Sequence, residues 1–290
     1  MQLMPLPKRV LQCGRLRLDL SQPHVMGILN VTPDSFSDGG RHNEKDAAVA
    51  RALEMIAEGA TVIDIGGEST RPGASPVSVE EEIRRVVPVV EELAKLNVVI
   101  SIDTSQPEVI RAAVAAGAHI WNDVRALTRP QALETAAELD IPVIIMHMRG
   151  EPTTMNQLDD YQDLYTDVIT ELQQRIDEVM AGGVRRDNLI IDPGFGFAKN
   201  AQQNLAWLNE FYRLHRFNLP VMVALSRKRF VGEVLKSANL PHDPTDRDVA
   251  SMVAGLFAVQ QGACILRTHN VAATKAGLAM WQATQQAKAS

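Results

Sequence analysis

Val25-Met26-Gly27-Ile28-Leu29-Asn30, continued by Val31-Thr32-Pro33-Asp34-Ser35-Phe36-Ser37-Asp38-Gly39-Gly40, is the stretch on which the reading of this chain turns. Its first half is a short apolar run, the pattern of a buried strand. The run ends in Asn30 and opens into a polar loop with a proline and a glycine pair. A helical pattern then covers residues 44–58 and stops at Gly59. The loop, 31–43, is longer than the few residues that usually join a strand to its helix, which marks it as a loop that presents groups to a ligand. Pro-Asp and Gly-Gly also make ordinary turns, so this loop by itself decides nothing.

The same unit recurs down the chain. Apolar runs at 61–65, 98–103, 119–122, 142–147, 189–192, 221–225 and 263–267 read as seven further strands. Helical patterns follow near 78 onward, where Pro88 is expected to kink the helix, and at 107–116, 130–139 and 160–180. Others start near 230, at 245–261 and at 272–287; none is assigned between the sixth strand and the seventh. Eight βα units in 290 residues is the count for an α/β chain closed as a (β/α)8 TIM barrel. A doubly wound open sheet would also alternate, but the even composition and the lack of a linker favour closure and one domain over 1–290. Ahead of the barrel, residues 10–20 alternate with period two around Gly14-Arg15. They read as a short N-terminal β-hairpin that caps the barrel bottom.

The formal net charge of −6 supplies no positive field, so neither nucleic acid nor a membrane surface is an expected partner. No apolar run approaches the ~20 residues of a membrane-spanning helix. Met1 to Leu11 lacks the apolar centre of a secretory leader. Cys13 and Cys264 lie far apart, outside any metal-ligand spacing, and read as reduced thiols of a cytoplasmic protein.

Most strands end in a polar residue: Asn30, Asp103, Asn122, His147, Asp192, Ser226 and Arg267. A TIM barrel gathers strand ends around one mouth. Asp103, Asn122 and Asp192 suit a flat polar heterocycle with several N–H groups. Lys228, Arg267 and His269, with Thr70 and Arg71, suit an anion, and arginine binds phosphate oxygens as a fork. One pocket with both sets implies a substrate with a polar ring at one end and phosphate at the other. The bland alternative is that the carboxylates and cations merely pair with one another, which leaves the loops with Gly66-Gly67 and Gly194-Phe195-Gly196 unexplained. Those loops match neither dinucleotide nor Walker motifs. A Mg2+ held mainly by substrate phosphates is compatible with so few protein ligands.

The motif residues resemble those of the dihydropteroate synthase family. The matching stretches are 30–40, Asp64-Ile65-Gly66-Gly67-Glu68-Ser69-Thr70-Arg71-Pro72-Gly73, Ser101-Ile102-Asp103-Thr104, Asn122-Asp123-Val124, Met146-His147-Met148, Asp192-Pro193-Gly194-Phe195-Gly196-Phe197 and Ser226-Arg227-Lys228. They cover nearly the whole chain in order. The resemblance implies a pterin-binding TIM-barrel transferase of folate synthesis, a target of sulfonamides, that joins 6-hydroxymethyl-7,8-dihydropterin diphosphate to 4-aminobenzoate and releases diphosphate. It implies Asp103, Asn122, Met146, Asp192 and Lys228 as pterin contacts. It implies Asn30, Thr70, Arg267 and His269 as diphosphate contacts, with Asn30 also the Mg2+ ligand. Arg71, Phe197, Ser226 and Lys228 are implied for 4-aminobenzoate, and Asp103, Lys228, Arg267 and His269 as the catalytic set. A homodimer is also implied.

Three positions depart from the family pattern: Trp121 for an aliphatic residue, Ala198 for glycine and Asn270 for aspartate. Two other readings stay open here, a pterin-dependent methyltransferase and a non-catalytic pterin-binding barrel. The diphosphate-binding residues weigh against both.

Overall fold

The computed structural model describes residues 4–32, 41–68, 77–151 and 153–287, the side chains of 41–43 and 156 excepted. Thr70, Arg71 and residues 33–40 lie outside the described residues.

A two-stranded antiparallel sheet comes first, β1 (Val10–Cys13) with β2 (Leu16–Asp19), paired so that Val10 faces Asp19 and Cys13 faces Leu16. Eight parallel strands follow: β3 (His24–Asn30), β4 (Val62–Gly66), β5 (Val99–Asp103), β6 (Ile120–Asp123), β7 (Val143–Met146), β8 (Leu189–Asp192), β9 (Met222–Ala224) and β10 (Ile265–Thr268). Their order is β8-β7-β6-β5-β4-β3-β10-β9, and the ring closes at β8 and β9 through a single parallel bridge from Ile191 to Val221. The Ile191 N–H donates to the Pro220 carbonyl at 2.9 Å across that seam.

Nine helices among the described residues surround the strands: α1 (Arg41–Ala57), α2 (Val79–Leu93), α3 (Pro107–Ala116), α4 (Ala132–Leu139), α5 (Leu164–Ala181), α6 (Ala201–Asn209), α7 (Arg229–Ser237), α8 (Asp248–Gln260) and α9 (Val271–Gln286). Local chemistry sets their starts. Ser78 caps α2 by accepting the Glu81 N–H at 3.2 Å, and Glu80, Glu81 and Glu82 face the positive end of its dipole. Pro88 lies inside α2. The helix α6, absent from the sequence reading, is only nine residues long and buries a short stripe of Asn204, Trp207 and Leu208. Its signal is the capping box of Asn200 and Gln203, a pair visible in the sequence. Among the described residues no helix is long and apolar enough to cross a membrane.

Side chains on a strand alternate between faces, and that period of two builds the site. Met26, Val62, Val99, Ile120, Ile144, Ile190, Met222 and Ile265 form an apolar plug inside the barrel, and Leu11, Cys13, Leu18 and Leu20 of the hairpin segment pack beneath it. The hairpin therefore caps the N-terminal end, as the sequence indicates. Both thiols, Cys13 and Cys264, are free and buried in this layer, and burial pushes each up to about 12. Outward positions such as Ile63, Ile100, Trp121, Ile145 and Ile191 pack against the helices. Two residues beyond the plug the same inward face carries Asp64, Ser101, Asn122, Met146, Asp192 and Arg267, and Asn30 and Asp103 end it. One alternation thus sets an apolar floor below and a polar mouth above.

Candidate active site

Arg267 is the hub of this mouth. Its Nε donates to Asp64 Oδ2 and its Nη2 to Asp103 Oδ2, both at 2.6 Å. Asn122 Nδ2 donates to the same Asp64 oxygen at 3.0 Å. Four strands, β4, β5, β6 and β10, are tied together through side chains in this way. The two nitrogens expected to fork onto phosphate are engaged with carboxylates here, which is the pairing that the sequence reading set aside as the bland alternative. Burial alone would lower the Arg267 pKa, but Asp64 and Asp103 outweigh it and raise it further above its ordinary value, so its charge is fixed.

Asp64 is the site residue that the sequence reading missed. It is fully buried, and its Oδ1 has no partner among the described residues, nor has Ser101 Oγ at the paired register position on β5. The available signal was one acidic residue in the run Val62-Ile63-Asp64-Ile65, since such a charge is buried only with a partner.

Burial raises the Asp103 pKa to about 7, with Arg267 opposing the rise and Asp64 adding to it. Asp192 is buried, and burial raises its pKa too, offset by the Gly194 N–H, which donates to Asp192 Oδ1 at 2.8 Å, and by Lys228 and Arg267. Lys228 stands before α7 with its Nζ 4.1 Å from the centre of the Phe197 ring, a cation–π contact. Burial lowers its pKa to about 8, against the pull of Asp192 and Asp103. Met146 and Phe197 join Val124, Met155 and Ala198 in a small apolar cluster beside these charges.

The loop after β8 depends on glycine at two places. Gly194 has φ +70°, and a side chain there would collide with the His147 carbonyl oxygen; at Gly196, φ +77°, a Cβ would come within 2.9 Å of Lys228 Cδ. Ser226 and His269 are bonded to each other, Oγ to Nδ1 at 2.9 Å, with the His269 N–H donating to the same Oγ at 3.0 Å. Asn30 sits at the end of β3, its Oδ1 facing Gly66, where an added Cβ would lie 3.8 Å from it and 3.6 Å from Asp103 Cβ. One amide oxygen is a hard donor of the type that Mg2+ takes, and no group of three acidic, histidine or cysteine ligands exists among the described residues.

The strand-end residue His147 does not join the Asp64–Arg267 group. It bonds Glu171 and Lys199 instead.

Two of the three departures have local reasons, and nothing in the structure explains the third, Ala198. Trp121 faces the helices and donates from its indole to the Thr104 carbonyl at 2.7 Å. Ala198 has φ +46°, a conformation that favours glycine. Asn270 caps α9 by accepting the Ala273 N–H and donates from Nδ2 to Asp248 Oδ2 at 3.1 Å; an aspartate would set a second carboxylate against Asp248.

A sequence profile of the family described as "Pterin binding enzyme" matches residues 26–269. Among curated proteins, the dihydropteroate synthase of Escherichia coli K12 is 49% identical over 272 residues, 93% of this chain and 95% of that protein. Among solved structures, the Xanthomonas albilineans dihydropteroate synthase with 4-aminobenzoic acid matches with a TM-score of 0.90 at 47% identity, over 97% of this chain and 100% of its own. The same enzyme has also been solved with 7,8-dihydropteroate. The Yersinia pestis enzyme in a sulfonamide complex matches with a TM-score of 0.89 at 48% identity, over 96% and 100% of the two chains. With this mouth of carboxylates, amide and cations on a parallel eight-stranded ring, the chain belongs to the pterin-binding enzymes and, within them, to the dihydropteroate synthase family.

Proposed function

We propose that the chain condenses 6-hydroxymethyl-7,8-dihydropterin diphosphate with 4-aminobenzoate, giving 7,8-dihydropteroate and diphosphate. The observation that carries this reading is the gathering of Asp103, Asn122 and Asp192 beside Arg267 and Lys228 at one mouth, with Met146 and Phe197 as its apolar wall. The carboxylates and the amide accept and donate along the edge of the pterin, and Met146 packs on its face. Phe197, Ser226, Lys228 and Arg71 form the 4-aminobenzoate side, where the Lys228 ammonium attracts the carboxylate.

The pterin methylene–oxygen bond breaks first, and its electron pair leaves with diphosphate. The electron-rich ring spreads the positive charge left on the methylene, and the Asp103 carboxylate stabilises it through space. The neutral aryl amine then attacks the methylene and gives up one proton. Arg267, held by two carboxylates, contributes its charge to the leaving group together with His269 and Thr70. Mg2+, when bound at Asn30 and the substrate phosphates, supplies further neutralisation of diphosphate charge. Sulfonamides would compete for the 4-aminobenzoate side.

The partners are small molecules. A homodimer is supported by an apolar stripe at Val249, Val253 and Phe257 on α8, which are 66%, 41% and 47% exposed. Val253→Asp should shift the sedimenting species to a monomer, and a wild type that is already monomeric at micromolar concentration would remove the dimer. The buried reduced thiols suit a cytoplasmic enzyme.

Release of diphosphate on mixing the two substrates tests the function. It also separates this reaction from methyl transfer and from pterin binding without catalysis. No release in the presence of Mg2+ would overturn the proposal.

A further inference from the structure

Lys199 has no part in the reaction above, yet it is buried two residues beyond Phe197. Each of the three N–H bonds of its ammonium has an acceptor: His147 Nδ1 at 2.9 Å, the Gly194 carbonyl at 3.2 Å and the Phe197 carbonyl at 3.2 Å. An Nδ1 that accepts fixes the tautomer, so the His147 proton is on Nε2, which donates to Glu171 Oε2 at 2.8 Å. Burial holds the His147 pKa down at about 4, so the ring is neutral. Glu171 in turn receives the Arg149 guanidinium, Nη2 to Oε1 at 2.5 Å and Nε to the same oxygen at 2.9 Å. Arg149 itself lies 3.9 Å from the centre of the Tyr161 ring. A line of bonds thus runs from the loop after β8 to the outer helix α5.

We propose that Lys199 is a positioning residue for the 4-aminobenzoate side of the site: it ties the Gly194 and Phe197 carbonyls to His147 and so holds the Phe197 ring against Lys228. The proposal rests on the reading of Phe197 and Lys228 given above. The loop needs such a tie because Gly194, Gly196 and Ala198 all have positive φ, a backbone path with little intrinsic preference. An apolar side chain in place of Lys199 would leave the buried Phe197 carbonyl and the His147 Nδ1 without a donor, while the Gly194 carbonyl would keep only the Phe197 N–H at 3.1 Å. Burial lowers the Lys199 pKa to about 7, against the pull of Asp192 and Glu171, and the three bonds are complete only in the ammonium form, since a neutral amine has two N–H bonds for three acceptors. The far end of the line, Glu171, is 36% exposed, so it can be cut without opening the core.

The test uses steady-state kinetics on Lys199→Met, Glu171→Ala and Phe197→Ala, with thermal unfolding alongside. Lys199→Met should raise KM for 4-aminobenzoate about tenfold while KM for the pterin diphosphate stays within about twofold. Glu171→Ala should raise the same KM by about threefold, and it decides the matter if Lys199→Met does not fold. Phe197→Ala checks the underlying reading. If Phe197→Ala raises KM for 4-aminobenzoate but Lys199→Met and Glu171→Ala leave it unchanged, or raise both KM values equally, Lys199 has no positioning role. If Phe197→Ala itself leaves that KM unchanged, the assignment of the 4-aminobenzoate side falls and this proposal falls with it.

Discussion

Arg267 Nε donates to Asp64 Oδ2 at 2.6 Å across the barrel interior, although 203 residues separate the two in the chain. Asp64 also receives Asn122, so one buried carboxylate orients both a cation and an amide of the site. Asp64→Ala should destabilise the fold by about 3 kcal/mol, the low end for breaking a buried ion pair, because Asp103 still holds Arg267. Denaturant unfolding measures this. A loss below about 1 kcal/mol, the range of ordinary exposed ion pairs, would show that Asp64 is not the anchor of Arg267.

Asp192 accepts the Gly194 N–H with one oxygen. In Asp192→Asn the amide keeps its oxygen on Gly194 and turns its NH2 toward the site, where a pterin N–H would meet a donor in place of an acceptor. The dissociation constant for pterin, measured by calorimetry, should rise at least about tenfold, given roughly 1.5–3 kcal/mol for a hydrogen bond to a charged group. An unchanged constant would take Asp192 out of the ring contacts.

The pH dependence follows from two buried groups of opposite sign. Asp103, raised to about 7 chiefly by burial, is a carboxylate above that pH and a neutral acid below it. Lys228, lowered to about 8 chiefly by burial, is an ammonium below that pH and an amine above it. In the proposed reaction, stabilisation of the developing cation needs the Asp103 carboxylate, and attraction of 4-aminobenzoate needs the Lys228 ammonium. The value of kcat/KM should therefore fall as pH drops through about 7 and fall again as pH rises through about 8. The two limbs belong to the coupled site as a whole. Asp103→Asn should flatten the acid limb at a lower rate; an acid limb that survives this change comes from another group.

How far the sequence shows this site depends on which periodicity carries each residue. Strand β8 has the bounds read from its apolar run, and β3 differs from its run by the single residue His24, because both flanks of each change character sharply. Asp103, Asn122, Asp192 and Arg267 stand at strand ends, and an even spacing from the apolar plug brings them to one mouth. His147 is one residue past Met146 and so falls out of that phase, which the list of strand ends alone does not reveal. Asp64 stays hidden for another reason: its partners are supplied by β6 and β10, contacts that no local pattern encodes. The α6 helix is masked by its length, since nine residues hold too few turns for a clear 3.6-residue stripe. The engaged fork of Arg267 is one of two readings that the sequence leaves unseparated, because a strand-end arginine suits phosphate and carboxylate equally well.

The last prediction concerns order of binding. The sequence segments 31–40 and 66–76 carry Pro33, Gly39, Gly40, Gly66 and Gly67, together with Thr70 and Arg71, whose side chains suit an anion. If C–O cleavage precedes amine attack, the 4-aminobenzoate pocket is needed only once diphosphate has formed. In that case Thr70 and Asn30, which would hold diphosphate and Mg2+, would act together with Phe197 and Lys228 to complete the 4-aminobenzoate pocket. Binding of 4-aminobenzoate should then be at least about tenfold tighter with diphosphate and Mg2+ than without them, a coupling of about 1.4 kcal/mol. Reciprocity demands the same factor for diphosphate measured with and without 4-aminobenzoate, so the two titrations check each other. Asn30→Ala should reduce the coupling while leaving the affinity for pterin alone unchanged, because the proposed role of Asn30 is toward diphosphate and Mg2+ and not toward the ring. Equal 4-aminobenzoate affinity under the two conditions would mean that Phe197 and Lys228 form the pocket unaided, and the loops would then serve only to exclude water from the cation.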